Sequence, residues 1–244
     1  MPFIESILQS DYFRQEPPVL VDIGASGEIN AKWKSIAPYS ICIAFDADDR
    51  EFNITESQAS GYRKLISINR IVTATETASA DFFLTKSPFC SSLLEPSLDK
   101  LSPWSFQPLF EVERKLQLSA ITLATALKEA NIQYIDWFKT DTQGTDLRLF
   151  LSTPEQIRKN ILAAELEPGI IDAYRGEDKL YTILETMPVH GFWLSSMEVK
   201  GTQRLQHQYL DKLGNFAGNR MIRKSPCWAE ITYLRNTFAT SQRN

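Results

Sequence analysis

The stretch Val19-Leu-Val-Asp-Ile-Gly-Ala-Ser-Gly27 restricts what this chain can fold into more than any other. Val19 to Ile23 is a short apolar run rich in β-branched residues, the signature of a buried strand. It breaks into Gly24, Ala25, Ser26 and Gly27, small residues that permit close approach to the backbone. Asp22 is unusual there, because a carboxylate near the buried end of a strand needs a polar partner. A second apolar run, Ile41-Cys-Ile-Ala-Phe45, ends in Asp46. Strand, small-residue turn, helix and a second strand closed by an acid make a nucleoside-binding half-fold. The plainer alternative is a tight strand-to-helix turn beside a solvated Asp.

Two cofactor classes use such a layout. A dinucleotide site wants G-x-G-x-x-G, so that pyrophosphate rests on a helix N-terminus. Counting from Gly24, the third and sixth positions are Ser26 and Ile29, so the phosphate fingerprint fails twice. A nicotinamide-dependent sugar enzyme also needs a proton relay such as Tyr-x-x-x-Lys, and no tyrosine supplies one. S-adenosylmethionine instead brings an ammonium and a sulfonium. Asp22 suits that charge, and Asp46 suits the two ribose hydroxyls.

At 244 residues, the chain is long enough for one well-buried α/β domain. A formal net charge of −4 argues against nucleic acid as the main partner. Cys42, Cys90 and Cys227 are odd in number and widely spaced, which gives neither a disulfide framework nor a zinc site. Two histidines, His190 and His207, cannot build a His-rich metal centre. No signal-peptide pattern and no membrane-spanning apolar run is visible, so a cytoplasmic protein is expected.

Alternation of strands and helices predicts a mostly parallel sheet with an antiparallel last strand. Ile4, Ile7, Leu8 and Tyr12 share a helical face, stopped by Pro17-Pro18. Residues 48–60 read as an exposed helix. Further strands are expected at 65–68 with an exit at 71–72, at 80–84, 135–138, 161–164, 192–197 and 228–234. Helices are expected around Leu123 to Ala130, at 145–151, and along Leu180, Ile183, Leu184 and Met187. Residues 86–110 break the rhythm, with four prolines among apolar anchors. Such a loop is either a lid that contacts an acceptor or a loop pinned to the core.

Lys139-Thr-Asp-Thr-Gln-Gly144 follows the 135–138 strand. If that strand lies beside the first, Asp141 faces the cofactor turn, at the strand ends where ligands gather. Lys139 and Asp141 then share a side, and Glu165 and Glu167 repeat the spacing one strand away. Asp141 is the leading base or acceptor-orienting group. Mg²⁺ held by Asp141 with Glu165 or Glu167 is chemically open, but no metal is assigned. The competing interpretation is a structural ion network at the strand ends. Tyr174 could stack on an acceptor or merely belong to a helix cap. Ser91 and Ser92 could bond a sugar or simply make a turn.

These pieces together resemble the FkbM-type S-adenosylmethionine-dependent methyltransferases. The resemblance is carried by Val-Asp-Ile-Gly-Ala-Ser-Gly at 21–27, Phe-Asp-Ala-Asp at 45–48, Ser-Ser-Leu-Leu-Glu at 91–95 and Lys-Thr-Asp-Thr-Gln-Gly at 139–144. Trp228 to Leu234 is similar to the family's closing strand. The resemblance implies a Rossmann-like methyltransferase fold with seven strands, a reversed last strand and helices on both faces. It implies a methyltransferase domain over 19–235, preceded by a helix and linker (1–18) and followed by a tail (236–244). It also implies methylation of a hydroxyl on a sugar or natural product. By position, Asp22, Gly24 and Gly27, with Ala25 and Ser26 between them, would hold the methionine part. Asp46 would hold the ribose, and Asn69 or Ile71 would lie near the adenine. Asp141, Lys139 and Gln143 form the expected catalytic set, and Ser91, Ser92, Glu165, Glu167 and Tyr174 the acceptor side. Gln143 stands where the family usually has Glu, and Asp146 where a second Glu is common. A neutral amide cannot be a general base, which keeps open an alternative: a catalytically silent cofactor-binding partner within a biosynthetic assembly.

Overall fold

Alternating β-branched strands and polar connections give the α/β architecture expected. The structure, a computed structural model, describes residues 2–25, 29–45, 61–212 and 225–238. Its main sheet has seven strands in the order β3-β2-β1-β7-β8-β10-β9. These are β1 (Val19–Ile23), β2 (Ile41–Phe45), β3 (Lys64–Ile68), β7 (Trp137–Thr140), β8 (Ala163–Leu166), β9 (Phe192–Lys200) and β10 (Trp228–Arg235). The pairs β1–β2, β2–β3, β1–β7 and β7–β8 are parallel, and β10 runs antiparallel to β9. The chain therefore moves outward from β1 to β3, then returns to the other side of β1 with β7. That reversal, outside the carboxyl ends of β1 and β7, is where open α/β sheets gather their ligands.

A second sheet, in the order β4-β6-β5, uses β4 (Ile71–Thr73), β5 (Ser79–Thr85) and β6 (Val112–Thr122). The eleven-residue β6 has no counterpart in the sequence reading. Only Ala120 and Ile121, near its end, are buried, so the alternation that marks a half-buried strand is faint.

Contacts divide the chain into two compact units. The first comprises Met1–Ala80, Leu118–Asp141 and Leu149–Glu165. All five β1 residues are buried in it. Register assigns its sheet faces: Leu20 lies beside Cys42 and Trp137, and Asp22 beside Ala44 and Lys139. Trp33, Ala37 and Tyr62 pack with Leu20, Cys42 and Ala44, with Trp137 against them. On the opposite face, the Phe138 and Phe150 rings meet edge to face at 5.6 Å.

The second unit comprises Asp81–Gln117, Thr142–Arg148 and Leu166–Asn244. Here residues 86–110 are pinned: Cys90, Leu101, Phe106 and Phe110 pack with Ala173, Tyr174 and Cys227. Its local structure is two 3₁₀ turns, Pro88–Cys90 and Gln107–Phe110, and one helical turn, Leu98–Leu101, as its prolines dictate.

Several local expectations need correction. The N-terminal helix is two pieces, Pro2–Leu8 and Asp11–Gln15, and of its expected apolar face only Leu8 is buried. The helix expected after the first turn is absent among the described residues. Its backbone bonds there run mostly i to i+3, Trp33 to Asn30 and Ile36 to Trp33, ahead of a 3₁₀ turn at Ala37–Tyr39. Strands β7 and β8 start two residues later than expected. Asp136 explains the first shift: its carboxylate accepts from the Val19 amide at 2.8 Å, while its own amide donates to Val19 O. The helix at 48–60 lies outside the described residues. Among the described residues, no helix is long and apolar enough to cross a membrane.

Phe138 is fully buried against Phe150. Phe138→Ala should cost about 3–5 kcal/mol. It should appear as a lower urea midpoint with an unchanged slope.

Candidate functional site

Parallel register brings one charged row to the carboxyl ends of three neighbouring strands. Asp22 on β1 pairs with Lys139 on β7, and Lys139 pairs with Glu165 on β8. Side chains at paired positions of parallel strands project to the same face, so all three stand side by side. Lys139 Nζ donates to Asp22 Oδ1 at 2.7 Å. Lys32, from the turns after β1, reaches in from the side and pairs with Glu165 Oε2. One step back along the same face, the row is apolar: Leu20, Cys42 and Trp137. The charged groups thus border a packed apolar layer.

Electrostatics fix the state of the lysine. Burial pulls the Lys139 pKa down, but the carboxylates of Asp22, Asp141 and Glu165 outweigh it and hold the ammonium above its ordinary range. Lys139 therefore keeps its proton at neutral pH. It can neutralise and orient neighbours, but it cannot accept a proton. Two further groups on this face respond to the same charge. Burial, reinforced by Asp22, pushes the Cys42 thiol up to about 12. Burial also raises the Tyr62 phenol, with Cys42 and Asp22 adding to the effect. Both stay neutral.

The glycine at the end of β1 answers to a constraint inside the chain. Gly24 has φ +83°, and a Cβ there would lie 2.0 Å from the Asp141 carbonyl oxygen. The turn after β1 and the exit of β7 are in direct backbone contact, and Asp141 N donates to Ile23 O at 2.9 Å. The amides of Gly24 and Ala25 both donate to Phe45 O, at 2.9 and 3.0 Å. Gly24 and Ala25 thus meet neighbouring strands through the backbone atoms that the sequence reading offered to a ligand. Ser26, Gly27 and Asp46 lie outside the described residues.

The other expected residues separate into two groups. Asp22, Lys139, Asp141 and Glu165 meet in the first unit. Asn69 is exposed in the link between β3 and β4, and Ile71 is buried in β4 beside Ala120. The second unit holds Gln143, Ser91, Ser92, Glu167 and Tyr174. There the hydroxyls serve the fold. Ser92 Oγ donates to Gln143 O at 2.8 Å and accepts from Leu94 N. Ser91 Oγ accepts from Thr85 N. Tyr174 is 5% exposed, packs on Phe110, and its hydroxyl donates to Cys90 O at 2.9 Å. A buried ring cannot stack on an acceptor. Gln143 adopts φ +55°, a left-handed conformation rare outside glycine, and its Oε1 lies 3.3 Å from the Tyr174 hydroxyl. Glu167 is half-buried just beyond β8. No group of three or more His, Cys, Asp or Glu with metal-binding geometry exists among the described residues. Lys32 is the site residue that sequence reasoning missed, because nothing in a polar turn signals which distant strand it reaches.

No family model matches the chain, and neither does any curated protein.

Two expected outcomes follow from this geometry. Gly24→Ala should cost more than the roughly 1–2 kcal/mol of left-handed strain, because the Asp141 backbone must also move away. Gly24→Asn tolerates the dihedral but still carries a Cβ, so denaturant melts showing a similar loss for both would identify backbone contact as the cause. Lys139→Met should lose about 3 kcal/mol at neutral pH, the low end for breaking a buried pair, since a fifth of the Lys139 side chain is exposed. With a raised folded-state pKa, the lysine's contribution is complete below the unfolded value of about 10.4 and lost as pH rises through the folded one. The stability gap between wild type and variant should hold steady from pH 7.5 to roughly 10, then narrow.

Proposed function

We propose that this chain is an S-adenosylmethionine-dependent methyltransferase acting on a hydroxyl of a sugar or natural-product acceptor. The observation carrying the proposal is the charged row at the strand-order reversal, where open α/β sheets bind ligands. Asp22, Asp141 and Glu165 face Lys139 and Lys32, so three carboxylates meet two ammoniums and one negative charge is left over. That balance disfavours a pyrophosphate and suits a cationic nucleoside. The resemblance of residues 21–27 and 139–144 to FkbM-type enzymes points the same way, as does a sheet order compatible with a Rossmann-like methyltransferase fold.

When bound, the cofactor supplies an electrophilic methyl group on a sulfonium. What falls to the chain is to align a hydroxyl for in-line displacement and to take up its proton. Lys139, locked in its protonated form, is excluded as the base and serves as counter-ion to the acids around it. Asp141, at the exit of β7 against the turn after β1, is the group left to orient the acceptor or accept its proton. Asp22 is committed through Oδ1 to Lys139, so its part in holding the cofactor is electrostatic and passes through that pair.

One observation favours the silent-module alternative. Gln143 is a neutral amide, and its side-chain oxygen faces the Tyr174 hydroxyl within the second unit. Calorimetry with S-adenosylhomocysteine against NAD tests the cofactor: binding of the first alone is expected, and preference for NAD would end the proposal. Given binding, Asp141→Asn should lower turnover about 10²–10⁴-fold while changing cofactor affinity little. Binding without any S-adenosylhomocysteine release across hydroxylated acceptors would favour the silent module.

A further inference from the structure

Glu165 carries an imbalance that the rest of the row does not explain. It is 8% exposed, and its Oε2 is paired with Lys32. Its Oε1 is buried and has no hydrogen-bond partner. A buried carboxylate oxygen without a donor is expensive, and such atoms are rare unless something absent completes them. Lys139 stands beside Glu165 in register, but its ammonium is given to Asp22. Lys32 is different in kind from Lys139. Nearly half of its side chain is exposed, and it comes from a turn and not from a strand.

We infer that Glu165 is the ammonium-binding carboxylate of this site, and that Lys32 occupies it until a ligand's primary ammonium displaces it. Lys32 shows the chemistry that fits: a primary ammonium, seated on a carboxylate at the mouth of the row. A sulfonium has no N–H to offer Oε1, so the sulfonium itself is not the group recognised. A ligand ammonium is not tethered to the turn as Lys32 is, so its several N–H donors can be set against both oxygens. The incoming ammonium replaces the charge that Lys32 gives up, so Glu165 is never left unpaired, and the Lys32 side chain, nearly half exposed, withdraws toward solvent. Its competition lowers the apparent affinity by the fraction of time it holds the site. This deepens the methyltransferase reading and, for the cofactor's own α-ammonium, rests on it.

The test compares wild type, Glu165→Gln and Lys32→Met by calorimetry. S-adenosylhomocysteine carries the ammonium; 5′-methylthioadenosine has the same nucleoside without it. Glu165→Gln should weaken S-adenosylhomocysteine about 10- to 150-fold, the range for a hydrogen bond to a charged group. Lys32→Met should tighten it by about two- to fivefold, a sign opposite to that of an ordinary stabilising lysine. 5′-Methylthioadenosine should be unaffected by either change, which also reports that the variants are folded. If the ammonium belongs to the acceptor, S-adenosylhomocysteine is unmoved. The same pattern then appears for ethanolamine titrated into the S-adenosylhomocysteine complex and followed by NMR, with ethylene glycol as the uncharged control. Either pattern supports the assignment and identifies the source. Indifference of both ligands to Glu165→Gln, or weaker binding in Lys32→Met, overturns it. Should S-adenosylhomocysteine fail to bind wild type, the methyltransferase reading falls, and ethanolamine alone decides the role of Glu165.

Discussion

A largely buried lysine between carboxylates on adjacent parallel strands is the interaction around which the first unit is arranged. Desolvating Lys139, Asp22 and Glu165 separately would cost several kcal/mol each, and only their juxtaposition offsets this. Juxtaposition requires that β1, β7 and β8 be neighbours in one register, because a one-residue slip would turn each side chain to the opposite face. The ion row therefore specifies register as much as it stabilises. The apolar residues one step back, Leu20, Cys42 and Trp137, use the same alternation to seat Trp33 and Tyr62. Charge at the rim and hydrocarbon below are two consequences of one pairing.

The same pairing explains why glycine stands at position 24. Once β1 and β7 are adjacent, the chain leaving β1 must turn directly over the chain leaving β7. Only a residue without Cβ fits over the Asp141 carbonyl. The amides of that turn are spent on Phe45 O, which ties β2 into the same corner. Three strand ends are thereby locked together by backbone contacts before any ligand is considered. A rigid corner of this kind is what a site needs if charges are to be held where a ligand will meet them.

Much of this was legible along the chain. The limits of β1 and β2 follow from bounded apolar runs flanked by turn chemistry, and both coincide with the structure. The meeting of Asp141 with the first turn follows from the rule that ligand crevices open where strand order reverses. Other features left no local trace. In β6 the charged residues Glu113, Arg114 and Lys115 are consecutive and only Leu116 and Leu118 alternate with polar neighbours, and after β1 the backbone makes i-to-i+3 turns and a 3₁₀ turn where a helix was expected. Ser91, Ser92 and Tyr174 have the composition of a binding loop, yet they turn inward, because the apolar residues of 86–110 pack with Ala173, Tyr174 and Cys227.

What the sequence determined by itself was the kind of sheet and where its acids fall, since strand periodicity and glycine punctuation are local properties written in consecutive residues. Only the tertiary structure decided which acid meets which base. Along the chain, Lys139 stands two residues from Asp141, and alternation alone suggests that pair. In space its ammonium goes to Asp22, 117 residues earlier, and Glu165 receives Lys32, 133 residues earlier. A cross-strand neighbour lies about 5 Å away whatever its sequence separation. Pairing of buried charges is therefore a property of strand order, which no single stretch of sequence contains.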